Sequence, residues 1–372
     1  MTNKDIAEKI DHLVNHIKNN EAILRTKKAV AGFDGFVDTI VRIIKTKQEQ
    51  KSPVLFKTIK EFGDYILEKQ GASFSLETGQ PVNKIGGNMP LTANTLGQLG
   101  VNVSCVGALG YPHIHPVFKD LSSNCTMYSF ADPGQSTAFE FNDGKMFLAQ
   151  MGALNSLAWK DIKEIIGIDT LINLYKESDL LCIVNWSEID ASTDIWKGLL
   201  RDVLPQYNNY EKQIAFFDLS DCSKRNDFSV TEALLLLKEF SRYTKVILGL
   251  NKNEAGLIYK VLYQKNAGEN LQHTGEKIFE KLTVETLLLH SPKEAIAWNK
   301  ENLCTCKTFF IKNPVISTGA GDNFNAGFCA AQLLGADSRS SLVFANSVAG
   351  YYVKTGISPQ LKDVIKFLGD SK

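Results

Sequence analysis

Short apolar runs rich in β-branched and aromatic residues recur along the chain, at 29–33, 101–106, 180–184, 214–218, 245–250, 286–289 and 295–298. Their length and composition predict buried strands. Between several of them the apolar positions fall at helical spacing, over 91–99, 190–204 and 230–243, so strand and helix alternate. That alternation predicts a mainly parallel sheet covered by helices on both faces, with ligands near the carboxyl ends of its strands. Two regions break the rhythm. Residues 39–80 are mixed and polar, and 126–150 carry Tyr128-Ser129-Phe130, an apolar stretch from Thr137 to Phe141, the turn Asn142-Asp143-Gly144 and Met146-Phe147-Leu148. These read as antiparallel hairpins of a small β-rich lid growing out of one domain spanning 1–372.

Composition narrows the class without naming an activity. The chain has 372 residues, 44% of them apolar, and 41 Lys plus Arg balance 41 Asp plus Glu. A chain of this size and makeup builds a large folded core, and its balanced charge gives no basic field for nucleic acid or anionic membrane. Ile10, Leu13, Val14 and Ile17 recur at helical spacing among charged residues near the N-terminus, which predicts an amphipathic helix rather than a signal peptide. A cytoplasmic protein is expected. Seven cysteines without a Cys-x-x-Cys pair predict reduced thiols. Cys304-Thr305-Cys306 and His113-Ile114-His115 each lack the second pair of ligands that a zinc site requires.

The chemistry concentrates in Gly319-Ala320-Gly321-Asp322, followed by an apolar helical pattern. Small residues let the backbone bend until consecutive N–H groups converge on an anion, and the helix that follows adds its positive end. Asp322 then stands beside bound phosphate, where a carboxylate's use is to take a proton from an attacking hydroxyl. The spacing is neither G-x-G-x-x-G nor a Walker A motif. Three further segments bear on the same site. Gly32-Phe33-Asp34-Gly35-Phe36-Val37-Asp38 puts two carboxylates, Asp34 and Asp38, at a strand end, where they bind hydroxyls or cap a turn. Gly86-Gly87-Asn88 precedes the helix 91–99 and permits close backbone approach to a ligand. Asn251-Lys252-Asn253-Glu254 follows a strand, where Asn251 and Glu254 suit hydrated Mg²⁺ or form a helix cap.

In this order the segments resemble the ribokinase-like (PfkB) family of sugar and nucleoside kinases, from the strand at 29–33 to Ser358. The resemblance implies a three-layer αβα sandwich with a β-rich lid, and an ATP- and Mg²⁺-dependent transfer to an alcohol of a sugar or related polyol. It implies Asp322 as base, with Gly319, Ala320 and Gly321 as the anion turn. Asp34, Asp38, Gly86, Gly87, Asn88 and Arg225 are implied at the acceptor. Asn251, Glu254, Thr318 and Asn346 are implied at the nucleotide, with Asn251 and Glu254 holding Mg²⁺ through water. The run from Phe216 to Asp221, ending at Arg225, is similar to a loop that lines the site in adenosine-kinase-like members. Three departures stand out. Ile316 replaces an oxygen ligand of potassium-activated members, Leu91 stands where Asn is frequent, and His290-Ser291-Pro292-Lys293 lacks the glycine usual after that strand. A nucleoside kinase, an ADP-dependent sugar kinase and a non-catalytic sugar- or nucleotide-binding protein are the alternatives. The two early acids, with no basic cluster beside them, suit a neutral polyol, and an exposed lid edge suits a homodimer.

Overall fold

The structure is a computed structural model that describes residues 3–370 except Gln50 and Asn209, with side chains from Ile10 onward. In chain order the strands are β1 (Lys28–Phe33), β2 (Phe36–Val41), β3 (Ile43–Thr46), β4 (Val54–Leu55), β5 (Glu77–Thr78), β6 (Val82–Gly86), β7 (Asn102–Gly107) and β8 (Cys125–Ser129). There follow β9 (Gly134–Glu140), β10 (Lys145–Gln150), β11 (Leu180–Ile183), β12 (Ile214–Asp218), β13 (Lys245–Asn251), β14 (Thr286–His290), β15 (Glu294–Asn299) and β16 (Leu303–Lys307).

Nine strands form the main sheet in the order β16-β15-β14-β13-β12-β11-β1-β7-β8. Every pair from β14 to β8 is parallel, and β15 and β16 add an antiparallel edge. Each central strand buries both faces, which is why the sequence shows it as an unbroken apolar run. Alternate residues of β1 go to opposite cores. Val30 packs with Trp159, Tyr175, Trp196 and Phe240, whereas Ala29 and Ala31 pack with Ile17, Leu96, Phe328 and Phe344. Helices therefore cover both faces, giving the three-layer αβα sandwich with a lid. Among the described residues no helix is long and apolar enough to cross a membrane.

Order reverses around β1. From it the chain passes through the helix Asn88–Gln98 to β7 on one side, and β11 lies on the other. Crevices form at such switch points, at the carboxyl ends of the strands. Asp34 follows β1 and Asn185 follows β11, so both stand at this crevice.

The lid is a four-stranded sheet, β10-β9-β2-β6, joined by a three-stranded one, β4-β3-β5. The β9–β10 hairpin closes at the expected Asn142-Asp143-Gly144 turn, where the Phe141 N–H donates to the Gly144 carbonyl at 2.9 Å. Two expectations are corrected. Cys125–Ser129 extends the main sheet beside β7, so the second lid segment, expected over 126–150, begins only at β9. The first segment, expected over 39–80, runs instead from β2 at Phe36 to β6 at Gly86. Alternating β patterns fix the face of a strand but not which sheet it joins. The helix expected over 190–204 is also broken, into Ser192–Gly198, a wide π turn Leu199–Val203 and a 3₁₀ turn Leu204–Gln206 containing Pro205, which has no N–H to continue the ladder.

Ile43, Phe56, Phe62 and Phe141 make a lid core separate from the other two. Phe56→Ala is expected to cost about 3–5 kcal/mol within this small core. Hydrogen exchange should then accelerate in β2, β3 and β9 while the amides of β11–β13 keep wild-type protection; uniform acceleration would show a single cooperative unit.

Candidate active site

Four segments converge at the carboxyl end of the parallel strands. The glycine turn comes first. Gly319 has φ +86° and caps the helix Ala320–Leu333, whose first turn carries Asp322. A Cβ at Gly319 would lie 2.8 Å from the Tyr352 hydroxyl, which itself donates to the Thr318 carbonyl at 3.0 Å. The same Cβ would lie 3.3 Å from Leu91 Cδ1, so the position where Asn is frequent presents an apolar side chain to this turn. The Ala320 N–H donates to the Ser317 carbonyl at 3.1 Å and is therefore used within the turn. Among the described residues the Gly321 N–H has no backbone acceptor, which leaves it open to an anion.

Asp322 is buried, and desolvation holds its carboxyl well above the usual range, with the negative charges of Asp218, Asp34 and Glu254 adding to the shift. Asp218 ends β12 and accepts from the Ser220 N–H at 2.7 Å and from Asn325 Nδ2 at 2.8 Å. Asn325 lies one turn after Asp322 on the same helix, so this bond ties the helix start to the end of β12. Burial raises Asp218 to about 6.

Asn251 and Glu254 meet as expected, in a capping box. Asn251 Oδ1 accepts from the N–H groups of Asn253 and Glu254, and the Glu254 oxygens accept from the Asn251 N–H at 2.8 Å and from Asn251 Nδ2 at 2.5 Å. Both readings of the sequence thus fall on one feature, a helix cap whose carboxylate faces Asp218. Burial, then Asp218, pushes Glu254 to about 9. No cation among the described residues offsets these acids.

The acceptor side holds Asp34, Asp38 and the double glycine. Asp34 is fully buried and accepts from the N–H groups of Asn88 and Met89, each at 2.8 Å, and from Asn185 Nδ2 at 2.6 Å. It caps the helix Asn88–Gln98 from a distance, because Gly87, the formal cap with φ +91°, has no side chain to do so. Burial brings Asp34 to about 6 against these three bonds. Asp38, on β2, accepts from Ser136 Oγ at 2.6 Å and lies where a Cβ on Gly86 would come within 2.3 Å of it. The Asn88 side-chain amide has no protein partner among the described residues.

Arg225 is engaged within the protein. Arg225 spends its guanidinium on the carbonyls of Ser187 at 3.0 Å and Ile189 at 2.5 Å, on Asp190 at 3.5 Å, and on the Trp186 ring. It braces the turn after β11 rather than offering its fork to an acceptor, a use invisible in sequence because those carbonyls lie 36–38 positions away. Asn346 is buried in the helix Ser338–Thr355 beside the Cys306 thiol, and among the described residues its Nδ2 has no nitrogen or oxygen acceptor. Thr318 is exposed at the mouth of the turn. Sequence reasoning missed Asn185, Ser136, Asn325 and Tyr352, whose common signal is only a polar side chain at or near the end of an apolar element.

Raised carboxyl groups bind more protons folded than unfolded, so their contribution to stability is present below the unfolded value near 4 and is lost as pH rises through the folded value. For Asp218 that window runs from about 4 to about 6. The ligand-free protein should therefore melt lower at pH 8 than at pH 5. Asp218→Asn, which a flipped Asn325 amide accommodates, should raise Tm at pH 8 and leave it nearly unchanged at pH 5; equal shifts at both would show that charge is not the cause.

A family model described as prokaryotic ketohexokinase matches residues 6–371. A ketohexokinase of Haloferax volcanii is 26% identical over 342 residues, covering 91% of this chain and 90% of that protein. Among solved structures, an Arabidopsis thaliana ribokinase complexed with ribose and ATP superposes with TM-score 0.63 at 18% identity, over 92% of this chain and 98% of that one. A Sinorhizobium meliloti adenosine kinase gives TM-score 0.63 at 17% identity, over 93% and 98%. At these identities the two structures speak to the fold alone.

Proposed function

The chain belongs to the prokaryotic ketohexokinase family and is a carbohydrate kinase; from that premise we propose that it transfers the γ-phosphoryl group of ATP to a hydroxyl of a free ketohexose, with Asp322 as general base. The observation that carries the reading is a buried carboxylate at the first turn of a helix, beside an open glycine amide and three other buried acids. Asp322 accepts the proton of the sugar hydroxyl, whose oxygen forms a new bond to the γ-phosphorus. The bond from that phosphorus to the β–γ bridging oxygen breaks, and ADP leaves with its electron pair. The raised proton affinity of Asp322 makes it a stronger base once ionised. The Gly321 N–H and the helix start face the negative charge that develops on the transferring group.

On the acceptor side, Asp38 keeps one carboxylate oxygen beyond the one held by Ser136, and the Asn88 amide is open, so the two supply an acceptor and a donor for sugar hydroxyls. Asp34 supports them by fixing the Asn88 backbone. Lys145, whose charge acts on Asp38, is engaged by Glu140 at 3.3 Å, which favours a neutral sugar over a phosphosugar. The residues fit Mg²⁺ on the nucleotide side, since Asp218 and Glu254 are buried acids with no cation to offset them. Glu254 and Asn251 would hold the ion through water, because both Glu254 oxygens already accept from Asn251. When bound, Mg²⁺ would supply positive charge that offsets the phosphate oxygens.

The test is an ADP-release assay with MgATP over fructose, other free sugars, nucleosides and phosphosugars, with MgADP as a second donor. Turnover with fructose is expected, and Asp322→Asn should keep the fold and nucleotide affinity while losing at least about 10³-fold in kcat. Near-normal turnover in that variant would refute the base; a nucleoside hit or an ADP-only donor would replace the substrate reading.

The lid also supports a homodimer. Val82, Phe147 and Leu148 are exposed large apolar residues on the edge strands β6 and β10 of its sheet. An unpaired apolar edge is protected when a second copy covers it. Light scattering should give twice the chain mass, falling to one chain mass for the double variant Phe147→Glu, Leu148→Glu; a wild-type monomer would end this proposal.

A further inference from the structure

His290 stands where the two halves of the phosphoryl site meet, and no step described so far uses it. It ends β14 in parallel register with Asn251, the residue that opens the Asn251–Glu254 cap. Its other neighbour is the glycine turn. A Cβ built on Gly321 would come 3.3 Å from His290 Cε1 and 3.7 Å from Nε2, so the Cε1–Nε2 edge of the ring lies against the turn whose amide is open. Phe324, one turn further along the helix, supports the ring at 5.1 Å between centroids and 43° between planes. The imidazole is thus located by packing on one side and by the sheet on the other.

Hydrogen bonding does not account for its presence. Among the described residues neither ring nitrogen has a partner, although the side chain is half-buried at the end of a buried strand. Neither nitrogen is among the fully buried polar atoms that lack a partner, so the ring presents its nitrogens at an accessible surface of the site, where a ligand can reach them. Desolvation holds the imidazole down at about 4, so at neutral pH one nitrogen carries a hydrogen and the ring has no charge.

We propose, resting on the phosphoryl-transfer reading above, that His290 donates an N–H to an oxygen of the transferring phosphoryl group and forms with the Gly321 amide a two-donor cradle for it. The imidazole neither gains nor loses a proton in the reaction; Asp322 takes the proton of the alcohol. A neutral donor at this place strengthens its bond as charge builds on the transferring oxygens. It also explains the departure from the usual glycine after this strand: the side chain supplies the donor that a bare backbone turn would have supplied.

Three variants separate this role from packing. His290→Leu keeps the bulk against Phe324 and removes the donor, His290→Gln keeps an N–H donor, and His290→Ala removes both. With saturating MgATP and fructose, His290→Leu should lose about 10²-fold in kcat with the sugar KM changed by less than about twofold, and His290→Gln should recover roughly tenfold of that loss. A leucine variant at wild-type kcat, or one more active than the glutamine variant, would overturn the proposal. An independent readout uses ¹⁵N-histidine-labelled wild-type protein. The ring resonance missing from the His290→Gln spectrum should move on addition of a non-hydrolysable MgATP analogue, and a resonance that stays in place while the analogue binds would also overturn it. An inactive wild-type protein in the same assay would instead strike the kinase reading, and the resonance test would still decide the contact.

Discussion

The carboxylate of Asp34 is the contact on which the geometry of this site depends. Strand β1 ends at the reversal of strand order, and its side chain there gathers the first two amides of one helix and the amide of Asn185 from the neighbouring strand. A buried carboxylate is costly unless donors surround it, and three short bonds answer that cost. They also consume most of its acceptor capacity. Asp34 is consequently a latch rather than the main hydroxyl ligand, and what it latches is the double glycine that places Asn88 and ends the lid strand β6. The end of lid strand β6, the helix Asn88–Gln98 and the crevice at β1 and β11 are tied together by a single side chain.

Much of the sandwich was legible in sequence because its strands are buried on both faces, so that each is a continuous apolar run; Ile214–Asp218 was read with its exact bounds and the others within a residue or two. Interactions that span the chain were not legible. The helix read from Leu91 begins at Asn88, since its cap is supplied from 54 positions earlier. Arg225 has the composition of an anion ligand and the surroundings of a brace. Cys125–Ser129 has the pattern of a lid hairpin and the partner of a sheet edge. Asn251 and Glu254 show the converse case: their spacing encodes a local cap completely, and only the nearness of buried Asp218, 33 and 36 positions before them, gives that cap a chemical meaning.

The electrostatics of the site set a problem that its donors answer. Burial raises the proton affinity of Asp322, Asp218, Glu254 and Asp34, the other three acids add to it at Asp322 and Asp218 adds to it at Glu254, and no lysine or arginine among the described residues offsets them. A nucleotide phosphate brings further negative charge. Binding it therefore relies on a cation delivered with it and on groups that present hydrogen without full charge: the open Gly321 amide, the helix start and the neutral imidazole of His290. This has a kinetic consequence. A fixed arginine would hold ATP and ADP firmly before and after transfer, whereas short-range neutral donors gain most when charge has concentrated on the oxygens they touch.

That arrangement works only in the absence of competing water, because a neutral hydrogen bond to phosphate is worth little where solvent replaces it. On the lid, Asp38 and Ser136 lie side by side on β2 and β9 and are hydrogen-bonded to each other. On the proposed reading, a sugar that bridges Asp38 on the lid and Asn88 on the body would draw the two together. In the proposed mechanism closure would be coupled to the presence of the reacting hydroxyl, and the lid has a small aromatic core of its own, separate from those that flank the main sheet. The separate core of the lid, the body latch of Asp34 and the low charge of the anion cradle are thus parts of one requirement, that the acids remain unpaired until both substrates have excluded water.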